Sequence, residues 1–578
     1  MSDQTSDTEG TNRRRILQTL GAGAAFGLAG CASSNNDGSQ GGTEATTEST
    51  DAGGSTETDN DTETDSSSGG NSKTFNFALG SEPTTLDTHK ANRVPEQLVL
   101  QTITEPLFRL TPDKTAAPHL VSEYDRSSDA TTFTLTLEQG RTFHNGEELT
   151  GEIAAWNLQR FVNKGKNAYV VGSPANIEAT GEYELEVSYE EPKPRLPILL
   201  TNWYTGMVSR KAVESAGDDY GTGTVVGTGP FKFENWESGS AINVTRYEDY
   251  DWGVDYGLNQ GPANVAEGHF TIIPESTTRV SELTNGTVHG SSYVPLSSAD
   301  QVSNSNNATL HETAFPYPAY FPLNMQKKPT DDIRVRKAIA HAIQRNPIVE
   351  AALGGHGTPI WGLAPPISVN GLSESRAKEV GYTYNVEKAR SLLDEAGWTN
   401  SQQGQIRTKN GEKLEITQLG FALDQWSTQA KVAQALLKEV GIKVNVLVVE
   451  GGTFYNKLEN QEYHTITGGT SANYAVDFLT SAFHSKNLAS EGGYNVSMLD
   501  SDKMDSLIDE AKTSPNQEAR VNAVKEAQEY LLNQAAAVPI MTVNRVYSHK
   551  NSVGNLDTFL DHPWYPVQYY LHWTDVTL

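Results

Sequence analysis

The residue types that usually carry catalysis are present, but not at catalytic spacing. The chain has 13 histidines and one cysteine in 578 residues. It contains no His-Glu-x-x-His pair, no Gly-x-Ser-x-Gly turn, no phosphate loop and no thiol nucleophile beyond Cys31. The glycines of GTGTVVGTGP (221–230) invite a dinucleotide reading, yet Pro230 and an alternating Phe231/Phe233 strand follow them. A phosphate needs a helix N-terminus at that point. His144, beside the Asn145-Gly146 turn, has no second His or Cys at metal spacing, and is read as a structural hydrogen-bonder. No catalytic residue, metal or cofactor is assigned. A Ser/His/Asp triad scattered along a chain leaves no signature, so a secreted hydrolase of peptides or glycans stands as the rival reading. What remains is binding chemistry: aromatic platforms and a few polar anchors in a cleft.

The elements that must position such groups follow from periodicity. In residues 320–355, Tyr320 to Met325 reads as a buried strand. Val335, Ala338, Ile339, Ala342 and Ile343 then form one apolar face of a helix over 333–344. Asp331 or Asp332 can cap it, Pro347 suits the first turn of a second helix, and Gly354-Gly355 ends that one. Alternation predicts strands at 73–80, at 133–137, at 183–189 and over Ile442–Val448. Helices are expected from Gln97 to Phe108, after Thr150, near Thr277 or Thr278, after Asn385, after Ser427, and around Met504 and Val521. A strand–helix–strand rhythm of this kind argues for mixed sheets with covering helices.

Asn324 to Arg345 reads N-x-x-x-x-P-x-x-D-x-R-V-R-x-A-I-x-x-A-I-x-R, and residues 226–232 read VGTGPFK. Both resemble segments of the solute-binding proteins of peptide/nickel-type ABC importers, family 5, over roughly residues 74–560. The resemblance implies an α/β, bilobed periplasmic-binding-protein-like fold of type II (cluster C) with an extra subdomain in lobe 1. Lobe 1 would take 73–115 and 225–315, the extra subdomain 116–224, lobe 2 316–542, and 543–578 would return to lobe 1. A hinge strand crosses in HETAFPYPAYFPLNM. In peptide-binding relatives a Trp, and an Asp three residues on, often hold the peptide ammonium. Here those positions are Thr470 and Asn473, and Asn cannot neutralise an ammonium. Asp477 could substitute, or the ligand could be uncharged there, such as an oligosaccharide. Trp361, Trp426 and Tyr317 are further cleft candidates that could equally be core. Arg93 and Glu96 lie in the first-lobe loop that faces the cleft in relatives.

The N-terminus reads as an export leader. Arg13-Arg14 and the Gly/Ala-rich run after them resemble a twin-arginine signal, and Leu-Ala-Gly-Cys31 resembles a lipobox, with lipidation of Cys31. Residues 32–72 hold nine carboxylates, no Lys or Arg and almost nothing apolar. Such a segment reads as a disordered, self-extending tether. With 72 acidic and 44 basic residues the net charge is −28, spread as a solvated surface, and nucleic acid is an improbable partner. A lone cysteine leaves no intramolecular disulfide. The expected protein is a monomeric, membrane-anchored, extracytoplasmic binder of a peptide or oligosaccharide that docks on the transmembrane subunits of an ABC permease. A sensory receptor for the same solute, or a metal-chelate binder, is the variant reading.

Overall fold

Alternating Phe75 and Phe77 put strand β1 (Thr74–Leu79) against a core shared with Leu98, Val99, Ile242 and Phe270. The computed structural model describes residues 74–555 and 574–578 apart from positions 112, 293, 401 and 403. Arg13, Arg14, Cys31, the 32–72 segment and half of the predicted C-terminal return (556–573) lie outside the described residues.

Helix α1 (Val94–Ile103) begins three residues before the expected start and stops five before the expected end. Pro95 suits its first turn, and Thr104 turns extended ahead of Pro106, which cannot continue a helix. An antiparallel sheet follows, built from β2 (Val121–Arg126), β3 (Thr132–Leu137), β4 (Asn176–Gly181) and β5 (Glu184–Ser188) in the order β2-β3-β5-β4. Phe133, Leu135, Leu185 and Val187 face one core, against which α2 (Gly151–Lys164) lays Ala154, Leu158 and Phe161. Thr150 caps α2 as expected, accepting the Ile153 N–H at 3.4 Å. Asn145-Gly146 makes its tight turn, with Gly146 at φ +79, though it joins an isolated bridge (Thr142 to Glu148) rather than two full strands.

Lobe 1 continues through β6 (Phe231–Glu237), β7 (Ala241–Arg246), β8 (Glu267–Ile272), α3 (Ser276–Thr284) and β9 (Gly290–Ser291). Glu275 occupies the α3 N-cap, so Thr277 and Thr278 lie inside the helix rather than at its cap. Strand β10 (Ala308–Pro322) then crosses to lobe 2, and Tyr320 to Pro322 is its end rather than the start of a separate strand reaching Met325. Asp332 caps α4 (Ile333–Ala342), accepting the Arg334 N–H at 2.9 Å. Helix α5 (Arg345–Leu353) ends at Gly354, φ +58. Asn385 caps α6 (Val386–Glu395). Lobe 2 is completed by β11 (Glu415–Phe421), α7 (Asp424–Glu439), β12 (Lys443–Val449), β13 (Thr465–Gly469), α8 (Ala475–Phe483), α9 (Asp502–Thr513) and α10 (Gln517–Gln534). Leu423 is the α7 N-cap, so Ser427 sits inside the helix instead of capping it. Strand β14 (Ala537–Lys550) returns to lobe 1.

One sheet runs through both lobes, in the order β12-β11-β13-β10-β14-β9-β1-β8-β7-β6. At its centre β10 and β14 pair antiparallel from Ala308 opposite Lys550 to Pro322 opposite Ala537. The ladder breaks midway. Ala314 pairs with Asn544 and Pro318 with Thr542, so Phe315, Pro316 and Tyr317 stand against Val543 alone. Pro316 and Pro318 have no N–H to give a ladder, which makes this the natural place for it to loosen. Met541 and Val543 belong to the lobe 2 core, while Val546 and Tyr547 belong to lobe 1 cores. The break therefore marks the crossing between lobes.

The extra sheet is tied to lobe 1 through a buried carboxylate. Glu105 accepts from Arg109 (2.7 Å), His119 (3.0 Å), Tyr250 (2.8 Å) and Trp252 (2.8 Å). Burial alone would raise its carboxyl, but His119, Arg109 and Trp252 outweigh that and hold it down at about 2. Because the folded value lies below the ordinary 4.5, the stability it confers is full above pH 4.5 and is lost as pH falls toward 2. Glu105→Gln should lower stability at neutral pH by about 3–5 kcal/mol and flatten that part of the acid-unfolding curve. Denaturant melts of the two proteins over this pH range read both effects.

Candidate functional site

The lobe 2 lip of the cleft is built from the end of β13 and the start of α8. Tyr317, in the strand break, donates its hydroxyl to the Gly469 carbonyl at 2.9 Å. A Cβ on Gly469 would come within 2.7 Å of the Tyr317 ring and of the Pro318 carbonyl, so only glycine allows this approach. The Ala472 N–H reaches the Pro316 carbonyl at 2.8 Å, which fastens the 470–474 loop to the crossing strand. Tyr474 then starts α8 and places Asp477 in its first turn, where the helix dipole favours a carboxylate.

Lobe 1 reaches this lip with cations. Arg195 meets Asp477 through two parallel bonds, Nη1–Oδ1 at 2.6 Å and Nη2–Oδ2 at 2.8 Å, and lies 5.2 Å from the Tyr474 ring centroid. Burial pulls the Arg195 guanidinium down, but Asp477 more than reverses it and raises it. Burial also pushes the Tyr474 phenol up to about 12, so it is neutral at the cleft. Lys114 Nζ donates to the Ile367 carbonyl at 2.6 Å, and Arg126 reaches the Pro515 carbonyl at 3.5 Å. Between them, Val369 is stitched to the lip, its N–H to Asn473 O at 2.8 Å and its carbonyl to Ala475 N–H at 3.0 Å. The Val369 side chain packs against core residues of both lobes, as does that of Ile198.

The negative charge is not evenly spread, contrary to expectation. Residues 73–315 hold 17 Lys and Arg against 32 Asp and Glu, whereas 316–542 hold 22 against 25. The acidic surface thus belongs mainly to the first lobe. The contacts across the cleft nonetheless run from first-lobe cations to second-lobe oxygens.

The residues singled out from sequence are distributed as follows. Tyr317, Asn473 and Asp477 converge on the lip. Asn473 Oδ1 is buried there without a hydrogen-bond partner, whereas Asp477 is already engaged by Arg195. Glu96 is fully buried and accepts from the Thr84 N–H and hydroxyl and from the Asn92 and Arg93 N–H groups, so it clamps the 84–93 loop. Arg93 is exposed and reaches back to Glu82 O and Ser81 Oγ. Trp426 is 4% exposed within the lobe 2 core. Trp361 lies under Lys378 (3.8 Å) and Arg345 (5.3 Å), beside the Leu372–Ala377–Leu532 cluster. Both tryptophans pack within lobe 2. His144 is the structural group expected: it contacts Gly229 O at 2.8 Å, and burial lowers it to about 4. Arg195, Lys114 and Val369 were not anticipated. Arg195 sits in EPKPRLPILL, a proline-broken stretch with no periodicity, and its partner is 282 residues away.

Comparison with known proteins accords with this architecture. The sequence pattern described as "Bacterial extracellular solute-binding proteins, family 5 Middle" matches residues 115–489. The glutathione-binding protein GsiB of Salmonella paratyphi A is 25% identical over 487 residues, covering 82% of this chain and 90% of GsiB. The structure of HbpA2 from Haemophilus parasuis superposes with a TM-score of 0.75 at 20% identity, covering 88% of this chain and 100% of HbpA2. That of DppA from Helicobacter pylori in complex with the peptide STSA gives 0.62 at 21% identity, covering 88% and 98%. The bilobed type II fold is common to them. The family consists of binding proteins, not enzymes, which removes the hydrolase reading.

The Arg195–Asp477 contact should bias the molecule toward closure by a small amount. Asp477 keeps 49% of its side-chain surface in water, so the pair is worth about 0.2–1 kcal/mol. Arg195→Ala should raise the open fraction accordingly, measured as the distance between spin labels placed on the two lobes. In about 1 M salt, where the screening length is about 3 Å, wild type and variant should converge.

Proposed function

Since the chain belongs to the bacterial extracellular solute-binding proteins, family 5, we propose that it is the capture component of an ABC importer, taking a peptide or similar small solute between its lobes and delivering it to a membrane permease. One observation carries this reading. A sheet that loosens at Phe315–Tyr317 lies directly under a lip that the opposite lobe grips through Arg195, with Lys114 reaching the nearby Ile367 carbonyl. That is the geometry of a hinged clamp.

The magnitudes say what the solute must do. Turning a 1:99 equilibrium into 99:1 takes about 5.5 kcal/mol of differential affinity. The exposed Arg195–Asp477 pair provides a fraction of that, so a solute touching both lobes must provide the rest. GsiB is named for glutathione and DppA was solved with a peptide, and a peptide is the first candidate here. Asp477, however, is occupied by Arg195, and Asn473 offers a neutral oxygen. A ligand that is uncharged at this point, such as an oligosaccharide, fits the lip better than a free ammonium.

The leader completes the proposal. Arg13 and Arg14 direct export of the folded chain, Cys31 carries the lipid anchor, and residues 32–72 give a monomeric body reach from the outer face of the membrane. No helix among the described residues is long and apolar enough to cross a membrane. The body is proposed to divide into lobe 1 (73–115, 225–315 and 543–578), its extra subdomain (116–224) and lobe 2 (316–542).

Small-angle scattering should show a fall in radius of gyration when the purified protein meets its solute. At a hundredfold excess over Kd the fold should gain about 2.7 kcal/mol of stability. Mass spectrometry of the released solute should find it intact. A solute returned cleaved, or bound tightly with no compaction, would sink the reading.

A further inference from the structure

Below the lip, strands β11 and β13 run parallel and pair Gln418 with Thr465 and Gly420 with Thr467. Ile416, Gln418, Gly420, Thr465 and Thr467 therefore share one face, since side chains alternate along a strand. Leu419 and Ile466 point the other way into a separate core. Ile416 packs with Trp426, Ala433 and Leu437 of α7, which identifies the shared face as the one α7 covers. Only Ala422 and Leu423 join β11 to α7, so the helix folds back over the strands with its N-terminal half above their carboxyl ends. Gln425 and Gln429 lie on that half, one turn apart.

The strand residues and Gln429 are sealed: Gln418 is 1% exposed, Gln429 0% and Thr467 1%. Yet Nε2 and Oε1 of Gln418, Nε2 of Gln425, Nε2 and Oε1 of Gln429 and Oγ1 of Thr467 are buried with no hydrogen-bond partner. Each unpaired group costs about 1–3 kcal/mol. Six of them together would rival the whole stability of a typical fold, about 5–15 kcal/mol, so something must satisfy them. Gly420 keeps the place open, because a Cβ there would lie 3.0 Å from Thr467 Oγ1. Its position suits a ligand as well. Gly420 is next to last in β11, so the place opens toward the carboxyl ends of the parallel strands, where open α/β sheets bind ligands, and β13 runs on from it through Gly469 into the lip.

We propose that Gln418, Gln425, Gln429 and Thr467 form a subsite for an uncharged solute group that both donates and accepts hydrogen bonds, such as a carboxamide or a pair of sugar hydroxyls. The proposal rests on the solute-binding reading and narrows it. The unpaired atoms belong to amides and a hydroxyl, none to an ionised group. A carboxylate placed there would face the two amide oxygens, and an ammonium the three amide nitrogens. Turning over one amide leaves both kinds of atom present, because Gln418 and Gln429 each have both unpaired.

The full chain is incubated with a low-molecular-weight filtrate of yeast extract, washed, and the solutes released by denaturation are identified by mass spectrometry. Wild type should retain solutes with an uncharged amide or polyol end. Gln418→Met/Gln429→Met, which keeps side-chain size and removes the unpaired amides, should retain them at least tenfold less while melting no lower than wild type. If the double variant melts early, Thr467→Val carries the same comparison. Equal retention by wild type and variants, retention only of solutes charged at both ends, or a crystal structure of the loaded protein with only water against these four residues would overturn the subsite and leave the clamp standing. A wild type that retains nothing would overturn both.

Discussion

The antiparallel pairing of β10 with β14 is the constraint on which the molecule turns. Among the described residues these two strands carry the chain from one lobe to the other and back, and they also join the two halves of the main sheet. Ladder hydrogen bonds resist shear along the pair, except where three residues face one and at the smaller shift between Ala319 and Tyr320. Motion between the lobes must concentrate there, because the flanking cores bury Val543 on one side and Val546 on the other. Tyr317 lies within this gap and bonds to Gly469, so any change at the hinge is felt at the lip.

Electrostatics adds discrimination more than strength. Lobe 1 carries most of the excess negative charge, and a cleft walled by it would tend to repel anionic solutes. Three of the cations that reach lobe 2 are committed: Arg195 to a carboxylate, Lys114 and Arg126 to backbone carbonyls. The buried polar groups left without partners at the lip and beneath it, those of Asn473, Gln418, Gln425, Gln429 and Thr467, are neutral. Paired charges hold the frame, and these buried groups without partners carry no charge. This arrangement avoids burying an uncompensated charge when the lobes part.

Local rules read much of the scaffold correctly. Asp332, Asn385 and Thr150 cap their helices, and the alternating strands fall where period two places them. The misplacements share a cause. Thr277, Thr278 and Ser427 are good caps by residue type, but α3 and α7 start earlier, because the N-cap is decided by where the preceding strand releases the chain. Trp426 and Trp361 drew attention as large aromatics, and the first packs in the lobe 2 core while the second lies under Lys378 and Arg345. Glu96, expected in the loop facing the cleft, stands in the first turn of α1, where its oxygens are taken up by groups of the preceding 84–93 loop.

Hydrophobic period, capping residues and the two motif segments determined the fold class, the order of elements and the solute-binding family, since each depends on neighbours a few residues apart in the chain. The long-range contacts at the cleft and beneath it were settled only by the tertiary structure. Arg195 meets Asp477 across 282 positions, Val369 is stitched beside Asn473, and Gln418 shares a buried face with Thr467 and Gln429. No local preference encodes such pairs, because a side chain's partner in three dimensions is chosen by how whole lobes pack, and a glutamine reads the same in sequence whether its amide meets water, backbone or a captured solute.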